Sequence, residues 1–236
     1  MFHNRVGGGY NCHSLFLKRK TMDEKIKKKL VSFFGKYKLK SYKSGEIIVR
    51  PGEKFPGLVF VKKGYVKVYT LSDSGKEIIL QMFKPLFYFS LVYSMTGSTN
   101  RYYFEAIGPV EMWIAPEKEA VKFIKSDCTM CSTLMKAILS AFLDLNVSVE
   151  QLISGNAYSK VASFIASAAE KYGAKENLFT VIKFPVTHKM IASMTGLTRE
   201  TVTLQLLKME KQKIIDNKGK RITVIDFGKL KKATTV

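Results

Sequence analysis

Acidic residues are scarce in this chain: 19 Asp and Glu stand against 39 Lys and Arg in 236 residues, a formal charge of +20. A field of that size attracts polyanions before any specific contact forms, which puts nucleic acid first among partners. An anionic membrane surface would respond to the same charge. The chain has no run of roughly eighteen or more apolar residues and no detached basic amphipathic helix, so a membrane role is not expected. Cysteine is nearly absent; Cys12, Cys128 and Cys131 are odd in number and too few for a disulfide framework, which fits a reducing compartment. Cys128 and Cys131 form a C-x-x-C, and Cys12 with His13 would complete a metal or iron–sulfur site, but there is no second C-x-x-C and no metal is expected. The three histidines, His3, His13 and His188, are too scattered to build a nucleophile–base–acid set, so an enzyme is not expected. The first 21 residues lack the continuous apolar segment of a secretory signal, which implies a cytoplasmic protein. They hold Gly7, Gly8 and Gly9 and end in Lys18, Arg19 and Lys20, and are read as a disordered arm or as an upstream start that the cell does not use.

What is present is 46% hydrophobic residue content in a length that can hold two modest cores. Residues 22–130 read as the first domain. From Lys43 to about Ile114, short β-rich runs are punctuated by Gly45, Gly52, Gly57, Gly64 and Gly75. Leu58 to Val61, Tyr65 to Tyr69 and Glu77 to Met82 read as consecutive antiparallel strands of a compact barrel or roll, with a turn at Asp73-Ser74-Gly75-Lys76. The pattern changes after Pro116. Leu134, Ile138, Ala141, Leu145, Val149 and Leu152 recur at steps of three and four, the seam of a helix over 131–155 that packs along a partner helix or on its own domain. Ser154-Gly155-Asn156 breaks the periodicity, and residues 156–236 read as a second domain that opens on an amphipathic helix from about Ala157 to Tyr172. A strand-like run, Phe179 to Phe184, follows Gly173.

Thr187 to Ile215 carries the sharpest signal. Thr187 can cap a short helix, Ile191 and Met194 supply its apolar side, and Thr195-Gly196 makes a tight turn. A second helix starts at Thr198, with Val202, Leu206 and Met209 on one face and Arg199, Glu200, Thr203 and Leu204 on another. That is the layout of a helix-turn-helix whose second helix enters the major groove. Arginine can fork to guanine O6 and N7, and a neighbouring glutamate can accept from cytosine N4; the plainer alternative is a solvated Arg-Glu pair at a helix start, where a glutamate favours the dipole. Ile214-Ile215, a turn at Asn217-Lys218-Gly219-Lys220 and Arg221 to Ile225 read as a two-stranded wing with basic residues at its tip. From Ala157 onward, 15 Lys and Arg against 6 Asp and Glu leave a net +9 where the motif lies.

With Gly-Leu-Thr-Arg-Glu-Thr-Val at 196–202, the stretch Thr187 to Val224 resembles the winged helix-turn-helix of the cyclic-AMP receptor protein and fumarate-nitrate regulator (Crp/Fnr) family. Lys43-x-Gly45-Glu46-x-Ile48, Pro51-Gly52-Glu53 and the Gly64 strand turn are similar to that family's β-roll, and the resemblance runs from about Lys27 to Val224. It implies an α+β fold: an N-terminal antiparallel β-roll like a cyclic-nucleotide-binding domain, a long dimerisation helix and a C-terminal winged helix-turn-helix. It makes Arg199 and Glu200 the base-reading pair and assigns His188, Lys189, Thr198 and Thr201 to phosphates, with Lys218 and Lys220 as wing contacts. The family commonly has a second arginine where this chain has Leu204, and leucine can touch a thymine methyl but cannot fork to guanine.

The sensor departs further. Where cyclic-nucleotide members hold ribose and phosphate with a Gly-Glu pair and an Arg-Ser or Arg-Thr pair, this chain reads Phe89-Ser90 and about Asn100-Arg101, so cyclic AMP is not expected. Phe87, Phe89 and Tyr103 stand among the aromatics of the sensor region, with Ser90 and Arg101 nearby and Leu145 and Asn146 at the helix positions that contact the base in such members. They would line a site for an unidentified apolar or aromatic effector or fill the core of a regulator that needs none. The implied protein is a homodimer on a near-palindromic double-stranded DNA site, with RNA polymerase as a further partner through surface residues that the sequence does not single out. The alternatives are an architectural nucleic-acid-binding protein and a redox- or metal-sensing regulator using Cys128 and Cys131.

Overall fold

A computed structural model describes residues 23–234. The readings of residues 1–21, and of Cys12 and His13 as metal ligands, lie outside the described residues. The chain opens on helix α1 (Glu24–Phe34), capped by the Asp23 carboxylate, with Ile26, Leu30 and Phe34 buried at steps of four. Six antiparallel strands follow: β1 (Lys38–Tyr42), β2 (Ile47–Val49), β3 (Leu58–Leu71), β4 (Glu77–Phe83), β5 (Tyr88–Phe89) and β6 (Tyr103–Ala115). They form one sheet in the order β1-β6-β3-β4, with β2 paired to β6 and β5 to β3. One expectation is corrected here. Leu58 to Val61 and Tyr65 to Tyr69 are not two strands joined by a turn at Gly64 but parts of the single strand β3, which irregularities in its pairing with β6 bend between Val61 and Tyr65. Gly64 sits inside that bend at φ 87°, where a Cβ would lie 2.3 Å from the Pro109 carbonyl oxygen.

Helices α2 (Leu91–Thr96) and α3 (Glu117–Lys125) close the roll, and helix α4 (Cys128–Ser154) leaves it. The first turn of α4 belongs to the roll: Met130 is buried with Ile26, Leu30 and Ile124, and the helix therefore starts before Cys131. Asp127 caps it, accepting from the backbone N–H of Thr129 at 2.8 Å and Met130 at 3.3 Å, and also pairs with Lys29. The hydrogen bond from Lys29, with the two backbone donors, holds the Asp127 carboxyl down at about 2. A depressed carboxyl stabilises the fold above its ordinary pKa and loses that contribution as pH falls through the folded value. Asp127→Ala should therefore melt below the wild type by a constant margin at neutral and mildly acidic pH, and the margin should close as pH falls to about 2. Thermal unfolding across that range checks this.

Helix α5 (Ala157–Tyr172), capped by Asn156 through Ser159, is the central helix of the second domain, with Val161, Ile165 and Ala169 buried. Around it lie β7 (Gly173–Glu176), β8 (Phe179–Ile182), α6 (His188–Thr195), α7 (Arg199–Lys211), β9 (Ile215–Lys218), β10 (Arg221–Val224) and α8 (Phe227–Lys232). The two strands of the wing, β9 and β10, pair as read and lie at one side of a four-stranded sheet, β7-β8-β10-β9. Asn217 and Lys218 lie in β9, paired with Ile222 and Arg221, which leaves Gly219-Lys220 as a two-residue turn. The core of this domain is continuous with three buried residues of the roll, Tyr69, Ile79 and Met82.

Candidate nucleic-acid interface

The helix-turn-helix is built by two threonine caps and one glycine. Thr187 accepts from the backbone N–H of Met190 at 3.1 Å and starts α6; Thr198 accepts from that of Thr201 at 3.1 Å and starts α7. Gly196 joins them at φ 69°, a conformation that a side chain makes costly. Val202, Leu206 and Met209 are all but fully buried and anchor α7, so the opposite face of the helix is turned to solvent. Arg199, Glu200 and Leu204 are exposed there, Leu204 to 64%. Leu207, 48% exposed, extends the apolar part of this face, and the sequence reading did not include it.

Electrostatics at the start of α7 favour an ionised Glu200. Its own backbone N–H, the Thr198 hydroxyl and the Arg199 guanidinium hold its carboxyl below the ordinary value. Glu200 is thus both an acceptor at the reading face and a partner of the helix start. Thr203 is half-buried, and its hydroxyl is engaged within the protein, donating to the Arg199 carbonyl at 2.9 Å and meeting His188 Nδ1 at 2.8 Å. Because the single Thr203 proton is used on Arg199, Nδ1 of His188 is the donor in that contact, and its Nε2 accepts from the Asn217 amide at 3.3 Å. His188, which the resemblance gave to a phosphate, therefore ties α6 to α7 and to the wing. Asn217 was not singled out in the sequence; its backbone N–H also donates to Glu210 at 3.0 Å.

Basic residues lie on α6 and on the wing. Lys189 is 78% exposed, with Glu77 of the roll 3.9 Å away. Lys218 pairs with Asp216 at 3.1 Å, Lys220 is exposed at the tip of the wing, and Thr201 shares a hydroxyl contact with Thr198 at 3.0 Å. Arg221 is held by Glu176 at 3.0 Å. Such side chains on one side of a helix-turn-helix suit a row of phosphates, while Arg199, Glu200 and Leu204 suit base edges.

Of the residues read as a sensor pocket, Phe87, Phe89, Ser90 and Tyr103 are engaged within the roll, while Arg101, Leu145 and Asn146 are exposed in one copy of the chain. Phe89 is buried and packs against both Phe83 and Phe104, with each centroid 5.1 Å away. Ser90 is buried, donating to the Gly57 carbonyl at 3.0 Å. Phe87 lies beside Phe83, Tyr103 stacks on Tyr69, and Arg101 is exposed. Leu145 and Asn146 are exposed on α4. An apolar cavity of about 290 Å³ lies elsewhere, between α2, α3 and α4, lined by Leu91, Met95, Ile124, Cys131, Leu134 and Ile138 among others. Cys131 donates to the Ile124 carbonyl at 3.1 Å and Cys128 is exposed. Among the described residues, no cluster of three or more His, Cys, Asp or Glu is placed to hold a metal ion.

Along α4 only Met130 is buried. Ile138, Leu145, Val149 and Leu152 are 44–58% exposed and Ala141 is also exposed, whereas Leu134 is half-buried against the roll. Met135, Leu139, Phe142 and Leu143 widen this apolar surface beyond the seam read from the sequence. By length and composition alone α4 could cross a membrane, but its first turn is packed into the roll and its end leads directly into α5.

A helix-turn-helix with a β-wing, joined through a long apolar helix to a β-roll, defines a DNA-binding regulator with an attached β-roll domain. Residues 159–233 match the Crp-like helix-turn-helix domain and residues 39–127 the cyclic nucleotide-binding domain. The chain belongs to the Crp/Fnr family of transcription regulators. It is 24% identical to the global nitrogen regulator of Nostoc sp. over 79% of this chain and 84% of that protein. It is 21% identical to the transcriptional activator protein Anr of Pseudomonas protegens over 78% of this chain and 75% of that protein. Among solved structures, FixK2 of Bradyrhizobium japonicum superposes with a TM-score of 0.70 at 20% identity, over 84% of this chain and 98% of that one. A mutant of CooA from Carboxydothermus hydrogenoformans also gives 0.70 at 20% identity, over 86% and 90%. These structural likenesses speak to the fold.

Proposed function

We propose that two copies of the chain pair through α4 and set two α7 helices in successive major grooves, about 34 Å apart, of a near-palindromic DNA site. Arg199 and Glu200 read bases, Leu204 touches a thymine methyl, and Lys189, Lys218 and Lys220 neutralise phosphates. The observation that carries this reading is the division of α7 into a fully buried anchor, Val202, Leu206 and Met209, and an exposed reading face at its N-terminal half. The unpartnered apolar length of α4 supports the pairing. The protein works in the cytoplasm, with RNA polymerase as a further partner. Any small-molecule effector is a compound other than cyclic AMP, because Phe89 and Ser90, which stand where a Gly-Glu pair would hold the ribose, are buried and engaged in the roll.

Leu204 gives the reading its most specific test. Leu204→Arg should convert an A·T preference at one position of each half-site into a G·C preference, with discrimination of roughly tenfold or more, since a good arginine–guanine fork is worth about 1–3 kcal/mol. Selection of random duplexes on both proteins at physiological salt checks this. A guanine already selected there by the wild type would refute the role of Leu204. Equal retention of every sequence by both proteins would instead support an architectural protein that binds by charge alone.

A further inference from the structure

The DNA-binding domain is docked on the roll through a contact distinct from the Gly155-Asn156 junction. Strand β4 is the edge of the sheet, so one row of its backbone groups has no strand to pair with. A single side chain of the helix-turn-helix meets that row. The Ser193 hydroxyl, on α6, donates to the Glu77 carbonyl at 2.5 Å and accepts from the Ile79 N–H at 3.0 Å. In a strand, residues two apart present their backbone groups on the same side, so one hydroxyl can satisfy both where a neighbouring strand would have done so. Beneath this bridge, Ile79, Met82 and Tyr69 are buried in one core with Met190, Ile191 and Phe184. Tyr172 at the end of α5 adds a second tie, its hydroxyl donating to the Met82 carbonyl at 2.9 Å, and Lys84 donates to the Lys171 carbonyl at 2.8 Å. The start of β4 is itself fixed, because Glu77 pairs with Lys67, which also holds Glu105 at 3.1 Å.

We propose that Ser193 is a positioning residue: by completing the edge of β4 it sets the angle of the helix-turn-helix on the roll, and with it the separation of half-sites that the dimer accepts. The inference rests on the DNA-reading function proposed above. The docked arrangement covers the Ser193 side of α6 and leaves Arg199, Glu200 and Leu204 facing solvent, free to meet DNA. A change in the roll that moves β4 reaches the reading helices directly, in addition to any change in the packing of α4.

Ser193→Ala removes both hydrogen bonds and touches no group assigned to DNA. The Ile79 amide should exchange with solvent faster than in the wild type. Affinity for the selected duplex should fall about 30-fold for the two hydrogen bonds lost in one protomer, and further because the dimer loses them twice. The bases preferred within each half-site should stay the same, while the penalty for inserting or deleting one base pair between half-sites should shrink. Tyr172→Phe removes the second tie and should lower affinity and shrink the spacing penalty in the same way, which keeps the test available if Ser193→Ala is poorly folded. Faster exchange at Ile79 with wild-type affinity and wild-type spacing preference would overturn the proposal while leaving the DNA-reading function intact. Absence of any base preference in the wild type would instead remove the function on which it rests.

Discussion

Leu145→Glu combined with Val149→Glu should turn the proposed dimer into a monomer and abolish binding to a palindromic duplex at concentrations where the wild type saturates. Both side chains are about half exposed in one copy of the chain, and the helix that carries them buries only Met130 within that copy. Burial of such a side chain contributes about 1.5–3 kcal/mol. A two-fold interface contains each position twice and about half of each side chain is left to cover, so the double substitution costs about 3–6 kcal/mol, roughly a 10²- to 10⁴-fold weaker association. Four carboxylates would also face one another across the seam, which adds repulsion. Sedimentation and a binding titration on the same samples check this. A variant that stays dimeric and binds normally would show that α4 is covered by something other than a second copy.

Arg199→Ala should weaken binding to the selected site by about 30-fold to 10⁴-fold, because an arginine–guanine fork contributes about 1–3 kcal/mol and the dimer makes it twice. The loss should be concentrated on sequence: preference at the guanine disappears, whereas affinity for unrelated duplexes and its dependence on salt change little. Fold stability should hold, since Arg199 is exposed and Val202, Leu206 and Met209 retain their places. Titrations against the selected and a scrambled duplex at two salt concentrations separate these effects. An equal loss on both duplexes would make Arg199 a phosphate contact and leave base reading to Glu200 and Leu204.

The helix-turn-helix was legible in the sequence because its signals are local. A threonine cap at Thr187, a glycine at Gly196, a helix start at Thr198 and apolar residues spaced for a helix each act within a few residues, and the structure uses every one of them, adding that Thr198 is itself a cap. The roll was legible only in outline. Gly45, Gly52 and Gly75 mark turns, but Gly64 lets a bent strand pass close to the Pro109 carbonyl, and nothing in the local text separates those two uses. Strand β7, Gly173–Glu176, escaped notice because it buries almost nothing and is defined by its pairing with β8. The His188–Thr203–Asn217 chain and the Ser193 bridge were out of reach for a different reason. They join residues far apart in sequence, 114 positions in the case of Ser193 and Ile79, through polar groups that carry no periodicity. Leu204 and the lost Gly-Glu pair stood out only against the family resemblance, and the structure adds that Phe89 and Ser90 are parts of the roll's interior.

The most direct test of the account is a selection of random double-stranded DNA on the purified wild-type protein at physiological salt, sequenced after several rounds. The account predicts a two-fold symmetric consensus whose half-sites are centred about one helical turn apart, each with a guanine read by Arg199 and an A·T pair at the position of Leu204. Enrichment without symmetry or base preference would contradict it, and would mean that the +20 charge binds nucleic acid without reading it.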